Sequence, residues 1–373
     1  MSFIRTEEQD MLAATVERFV SERYDLEQRA RALAEAGGFS RDNLAQLAEL
    51  GVLALRLPEA QGGLGGTLSD AAVVAETLGH GPIVEPVLIS AFVCAPLMAE
   101  HGHDTQAALA ERVAGGDAVL SLAFAEPEAR FSTWPRGTRA ERQGDGFVLR
   151  GSKTAVPGPV TLDAVIVPAL LDDRLEMFVL PPGTPGVGAR EYRLVDGTPA
   201  LELTLDDVGL DADAHLPGGD AAYTDALMRA RILASAEMLG LMERLFAETL
   251  DYLKTRIQFG RPIGRNQALQ HRMAEHHVRL EQSRSAVMRA CMTHDRGSDA
   301  WHREALAAKA CVSDAAMAVG QDAVQMHGAM GTTDELMIGH YHKRALWLQS
   351  LLGDAATHYR LFDAAGGAPR DAA

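Results

Sequence analysis

The sequence predicts a mostly helical α+β protein in three parts: an N-terminal helical domain, a middle β domain and a C-terminal antiparallel four-helix bundle. Three observations predict it. Apolar residues recur at helical spacing through 6–118. The pattern changes at Asp117 to short apolar runs separated by Gly, Pro and Asp. From about 221 onward helical spacing returns, cut by turn signals into four long segments. The boundaries follow the composition shifts: 1–117, 118–217 and 218–373, with LPGGD (216–220) as the second break.

In the first part, Thr6 and Gln9 fit a capping box, and Leu12, Val16, Phe19 and Val20 follow at helical spacing. A second helix starts near Ser40 and stops at Gly51. QGGLGGT (61–67) is a glycine-rich loop, after which Ser69 and Asp70 open a short helix ending near Gly79. Helical stretches are expected at about 82–100 and 104–114, the latter closed by Gly115-Gly116. In the middle part, AVLSLAFAE (118–126), GDGFVLRG (144–151), DAVIVPALL, EMFVLPP and ALELTL read as strands of a small barrel or sandwich rather than βαβ units. In the last part, turn signals at FGRPIG (259–264), RGSD (296–299) and GAMGTT (328–333) delimit the four helices of the bundle.

Composition narrows the function. A net charge of −16 argues against a general nucleic-acid binder, whose affinity rests on neutralising phosphates. It leaves room for an anionic small ligand held by a few arginines. Cys94, Cys291 and Cys311 form no CxxC pair, so a reducing cytoplasm is the expected compartment. The polar, acidic start lacks a signal-peptide pattern, and no apolar run reaches transmembrane length.

Two motifs read as structure. GGLGG (62–66) is surrounded by helices and lacks the preceding strand and βαβ unit of a dinucleotide fingerprint, so it is expected to be a loop. HRMAEHH (271–277) puts His271 and Glu275 on one helix face, but two ligands without a third do not make a metal site, and none is expected. The stronger constellation lies at two bundle turns. TRIQFGRPIGRNQALQHRMAEH (255–276) gathers Arg256, Phe259 and Gln267, and QMHGAMG (325–331) gathers Gln325, Gly328 and Gly331. An arginine fork suits a pyrophosphate, and glycine lets a backbone N–H approach a ligand.

Taken together, LGVLALRLPEAQGGLGG (50–66), the AEP of SLAFAEPEARFS (121–132), GSKTAVPG (151–158), KTRIQFGRPIGRNQ (254–267) and QMHGAMG resemble the acyl-CoA dehydrogenase family in order and spacing. The resemblance implies a middle β-barrel domain between the two helical ones. It implies FAD shared between subunits, with Arg256, Phe259, Asn266, Gln267, Gln325 and Gly328 on the ADP half of a flavin whose ring sits in a neighbouring chain. It also implies α,β-dehydrogenation of an acyl-CoA thioester and an electron-transfer protein as acceptor. Ala329 replaces the second glycine of the family's GG pair.

The sequence departs from the family at the base and at the ring pocket. The family's glutamate position in the last long helix is Leu352, before Gly353, and the alternative position on the first bundle helix is Ala230. Glu237 lies two helical turns beyond Ala230, and Asp354 lies two residues past Leu352 and points elsewhere. The ring-contacting run is AEPEARFS (125–132), with Glu128 and Arg130 at the glycine positions, and the stretch that packs on the ring is Ala155, Val156 and Pro157. The chain is similar in this to the less complete subunit of α2β2 acyl-CoA dehydrogenases that shorten steroid side chains. The expected function is therefore that of an FAD-dependent acyl-CoA dehydrogenase subunit whose base comes from a partner chain. The alternatives are a self-sufficient homotetramer using Glu237 or Asp354, a flavin monooxygenase on the same scaffold, and a non-catalytic assembly protein.

Overall fold

The computed structural model describes residues 5–181 and 183–366. The N-terminal region forms α1 (Glu7–Arg23), α2 (Leu26–Ala34), α3 (Arg41–Glu49), α4 (Leu68–Gly79), a π-helical stretch (Val87–Cys94), α5 (Ala95–His101) and α6 (Asp104–Ala114). Strands β1 (Leu120–Leu122), β2 (Arg139–Gln143), β3 (Gly146–Pro157), β4 (Ala164–Leu171), β5 (Arg174–Leu180), β6 (Val187–Arg193), β7 (Pro199–Leu210) and β8 (His215–Leu216) follow. The rest is α7 (Gly219–Thr255), a hairpin of β9 (Ile257–Gln258) and β10 (Arg261–Pro262), α8 (Gln267–Asp295), α9 (Trp301–His327), α10 (Met337–Ser350) and α11 (Ala355–Gly366). The Thr6–Gln9 capping box forms in both directions, at 3.2 and 3.1 Å. No glycine or proline separates α2 from α1 in the sequence, and the polar strands β2 and β6 show no apolar alternation to read.

These elements make two compact units: the described residues of Met1–Arg29, Ala72–Ile83 and Arg231–Ala373, and those of Ala30–Ala71 with Val84–Ala230. The second holds the sheet, in the order β6-β7-β3-β2-β4-β5-β8 with β1 paired parallel to β4. The sheet is open rather than a closed barrel. One edge strand, β6, is mostly exposed and charged, and the other, β8, has two residues; both are poor templates for closure. Central strand β4 is buried almost throughout, as a strand covered on both faces must be. Strand β3 slips register against β7 between Leu149 and Gly151 and again between Lys153 and Val156. Such bulges re-aim the intervening side chains. Ser90 in the π-helical stretch accepts the amide of Leu120 at 2.9 Å, fixing where β1 begins.

In the other unit, α7 is buried without interruption from Arg231 to Met242, so this stretch is covered on every face. The fourth predicted bundle segment is two helices, α10 and α11, broken at Leu351–Asp354. Leu352 (φ +61°) and Gly353 (φ +114°) both take left-handed conformations there, which the sequence signals for only one of the pair. Helices α4 and α7 cross at two glycines. A Cβ on Gly240 would lie 1.8 Å from the Glu76 carbonyl oxygen, and one on Gly79 2.4 Å from that of Glu237. Gly240→Ala should therefore destabilise the protein by about 2–3 kcal/mol through overpacking. A lower urea midpoint with an unchanged slope would show it.

Candidate functional site

Tyr252 lies in the last turn of α7 and Arg256 just past its end, four residues on, with the Arg256 N–H donating to Tyr252 O at 2.8 Å. Together with Gln258, Ile263 and the turn from Gln325 to Met330, they line a cleft of about 820 Å³ closed by Leu336 and Ile338. Gly328 ends α9 with φ +63°, and a Cβ there would meet nothing within 4 Å, so this backbone is open to a ligand. Arg256 is exposed and, among the described residues, has no carboxylate partner. Tyr252 and His327 stack with ring centroids 4.3 Å apart, and His327 Nδ1–H donates to the Ala323 carbonyl at 2.8 Å. The cleft thus offers one unpaired guanidinium, a carboxamide, a glycine backbone and apolar walls, which suits a nucleotide diphosphate.

Three of the six residues selected from sequence, Arg256, Gln325 and Gly328, converge on this cleft. The other three stand apart from its lining. Phe259 is fully exposed at the tip of the β9–β10 hairpin, with φ +51°. Asn266 begins α8 and accepts from Arg261 at 3.2 Å, and Gln267 is the exposed first residue of that helix. Tyr252, His327 and Glu248 were not anticipated. The i, i+4 spacing of Tyr252 to Arg256 could have pointed to the first.

The break between α10 and α11 carries no free carboxylate. Leu352 is 2 % exposed, and Ala230 is likewise buried. Asp354 Oδ1 accepts the Thr357 amide at 2.8 Å and so caps α11. Its carboxyl lies below the ordinary range, because the Thr357 hydrogen bonds outweigh the upward push of burial. Glu237 is buried and accepts from Arg344 Nε at 2.7 Å. The carbonyls at the break are held by two buried basic side chains, of which Lys309 has its pKa pushed well down by burial and by Arg231. Lys309 Nζ donates to Leu348 O and Gln349 O at 2.8 and 2.9 Å, and Arg231 reaches Leu352 O at 3.4 Å. Arg231 Nε donates to His358 Nε2 at 3.0 Å while His358 Nδ1–H donates to Asp354 O, so His358 is neutral. Burial, with Lys309 and Arg231 adjacent, pushes its pKa down to about 3.

In the sheet-bearing unit, the two stretches that depart from the family pattern meet: Thr154 N donates to Ala125 O at 3.0 Å. Glu126 beneath them pairs with Lys153 at 2.9 Å and accepts the amides of Arg136, Gly137 and Thr138 at 2.8–3.1 Å. Tyr223 donates its hydroxyl to Thr133 O at 2.7 Å, tying the loop down further along. Phe131 and Trp134 project outward at 43 % and 44 % exposure, and Arg130 and Ala155 take φ near +50°. Arg130 thus stands at one of the family's glycine positions with a left-handed backbone that glycine would adopt without strain. Burial pushes the Glu126 carboxyl up, but Lys153 and the amide donors outweigh it and hold it at about 2. Its contribution is complete above the unfolded value of about 4.5 and is lost as pH falls toward 2. Stability should drop by up to about 3 kcal/mol across that window, and Glu126→Gln should flatten this part of a pH–stability profile.

Neither GGLGG nor HRMAEHH supplies a residue to the cleft. In GGLGG, a Cβ on Gly63 would lie 2.1 Å from the Leu57 carbonyl oxygen, so the loop is closely packed. His271 and Glu275 are exposed, while His276 pairs with Asp322 at 2.9 Å. Among the described residues no cluster of three potential metal ligands occurs, and no helix is long and apolar enough to cross a membrane. The three cysteines are free thiols.

Comparison with known proteins places the chain. Its residues 6–116 match the acyl-CoA dehydrogenase N-terminal domain, and 218–365 match the acyl-CoA dehydrogenase C-terminal domain. Acyl-CoA dehydrogenase FadE12 of Mycobacterium tuberculosis is 28 % identical over 351 residues, covering 90 % of this chain and 89 % of that protein. The human mitochondrial short-chain specific acyl-CoA dehydrogenase is 27 % identical, covering 82 % of this chain and 78 % of that one. Among solved structures, the ChsE4–ChsE5 complex from Mycobacterium tuberculosis superposes with a TM-score of 0.92 at 25 % identity, covering 99 % of this chain and all of the matched chain (100 %). A variant of the Tcur3481–Tcur3483 steroid ACAD gives 0.89 at 27 % identity, covering 96 % of this chain and 97 % of that one. The chain belongs to the acyl-CoA dehydrogenase family, oxidoreductases that act on acyl-CoA thioesters.

Proposed function

We propose that this chain is one subunit of a heteromeric, FAD-dependent acyl-CoA dehydrogenase, holding the nucleotide half of a shared flavin while a partner chain supplies the ring pocket and the base. The observation that carries the reading is the state of the carboxylates. Leucine stands at the base position, Glu237 is locked to Arg344, and Asp354 caps a helix, while Arg256, Gln325 and Gly328 share one open cleft. Removing the α-proton of a thioester needs a carboxylate within hydrogen-bond reach of that carbon. Neither Glu237 nor Asp354 is free to serve.

The cleft fits the ADP half of FAD. Arg256 would donate both arms of its fork to the pyrophosphate, Gln325 would offer its carboxamide, and the left-handed backbone at Gly328 leaves room for close approach. FAD, when bound, supplies the acceptor for the β-hydrogen as hydride. The residues of this chain bind and orient; they do not move the proton. Phe259, Asn266 and Gln267 on the adjoining hairpin and helix start would complete the grip from outside the cleft. The two similar structures support a partner, since one is a complex of ChsE4 with ChsE5 and the other pairs Tcur3481 with Tcur3483 as a steroid ACAD. A steroid-derived acyl chain is accordingly the substrate class we favour.

Turnover of acyl-CoA with an artificial electron acceptor tests the reading. The chain alone should be inactive, and co-expression with a dissimilar family member encoded beside it should restore activity. Full turnover by the chain alone would refute it.

A further inference from the structure

His80 lies in the turn after α4, and each of its ring nitrogens faces a carboxylate. Nδ1 is 2.6 Å from Glu17 Oε2 on α1, and Nε2 is 2.8 Å from Glu243 Oε2 on α7. An ionised carboxylate only accepts, so both nitrogens must donate, and only the imidazolium has two N–H groups. The surroundings favour that charge. Glu243 also pairs with Arg284 of α8, whose other arm reaches Glu76 of α4 at 2.9 Å, and Glu76 accepts from Arg5 at 2.8 Å. Tyr341 of α10 donates its hydroxyl to the His80 carbonyl at 3.0 Å and fixes the turn. With His80 charged, its two cationic neighbours and three carboxylates form a neutral, partly buried cluster.

We propose that His80 is a proton-operated clip between α1 and α7. Charged, it ties Glu17 to Glu243; neutral, it keeps one donor, and the second carboxylate then faces a lone pair. The bond that yields is the one to Glu17. Glu243 keeps Arg284 in either state, whereas among the described residues the imidazole is the one hydrogen-bond partner of the Glu17 carboxylate, which is 46 % exposed. Loss of one proton therefore loosens the N-terminal helix without opening the α7–α8 contact. This inference is independent of the flavin reading, since no group of the cluster lines the cleft.

The direction of the pH dependence follows. Burial pulls His80 down, but hydrogen bonds to Glu243 and Glu17 overcome it and hold it above its ordinary value. The clip is complete below the unfolded value of about 6.5 and opens as pH rises through the raised folded value. Of the other groups facing it, Arg244 also attracts Glu17 electrostatically, in either state of His80. Arg284 of α8 and Arg244 of α7 are raised and stay charged, and Tyr341 is pushed up to about 12, chiefly by burial. Burial and Glu243 raise Glu76, whose protonation as pH falls would loosen Arg5, not Glu17.

Hydrogen exchange of the full chain, read on peptides from α1 and from α9 between pH 6 and 9 and corrected for intrinsic rates, tests this. Protection of α1 relative to α9 should fall by up to about tenfold per pH unit above the raised value, the limit for a one-proton linkage. Glu17→Gln should give low α1 protection with no such pH dependence while leaving the Glu243–Arg284 pair in place. His80→Gln should do the same, and Glu17→Gln carries the test should that variant fail to fold. Flat α1 protection in the wild type, or an unchanged pH dependence in Glu17→Gln, would overturn the proposal.

Discussion

Arg256→Met should weaken flavin retention by the assembled enzyme on the order of 100-fold. A guanidinium fork makes two charge-assisted hydrogen bonds to a diphosphate, each contributing about 1.5–3 kcal/mol, and the two are not additive. Arg256→Lys keeps the charge but loses the fork, so a loss of about tenfold is expected. The melting temperature of the flavin-free protein should not move, because Arg256 is exposed and has no carboxylate partner among the described residues. Fluorescence of released flavin, measured on serial dilution of the complex, reads both effects. Equal retention in wild type and Arg256→Met would remove the cleft from the account.

Glu237→Ala should destabilise the chain by about 1.5–3 kcal/mol, because it removes a buried charge-assisted hydrogen bond from Arg344 Nε. Glu237→Gln keeps the shape and one acceptor and should cost less. The functional outcome is sharper than the energetic one. If Glu237 is an ion-pair residue, the folded Glu237→Gln protein should support turnover with its partner within about twofold of wild type. Had it been the proton acceptor, its amide would lose several orders of magnitude, since general-base catalysis alone contributes about 10²–10⁴-fold. Denaturant midpoints and turnover on the same preparations separate the two roles.

Both predictions rest on features that differ in how far the sequence discloses them. The helices with caps and glycine stops, α1, α3, α4 and α6, were legible because their signals are local. So were the long strands β3, β4, β5 and β7. The openness of the sheet was not, because closure depends on what the edge strands meet, and β6 shows no alternation to read. The split of the last helix was missed because its first left-handed residue is Leu352, and a leucine gives no turn signal. At the candidate site, Arg256, Gln325 and Gly328 could be grouped from spacing at two turns. The stacking of Tyr252 on His327 could not, since it joins α7 to α9 across the whole of α8. The commitments of Glu237 and Asp354 were equally invisible: an acid on a helix declares its partner only in three dimensions.

The ring pocket shows the same limit from the other side. Substitution of glycines by Glu128 and Arg130 was plain in the sequence, but the anchoring of that loop by Glu126 and Tyr223 was not. Those anchors matter for the account, because a loop held at both ends cannot easily move aside for a flavin ring. Lys153, the counter-ion of Glu126, is itself pushed down to about 8 by burial, against the pull of its partner.

The flavin content of the purified complex tests the division of labour most directly. One FAD for each pair of unlike chains, with this chain colourless when purified alone, is the result the account predicts. One FAD per chain, or a yellow protein from this chain by itself, would contradict it.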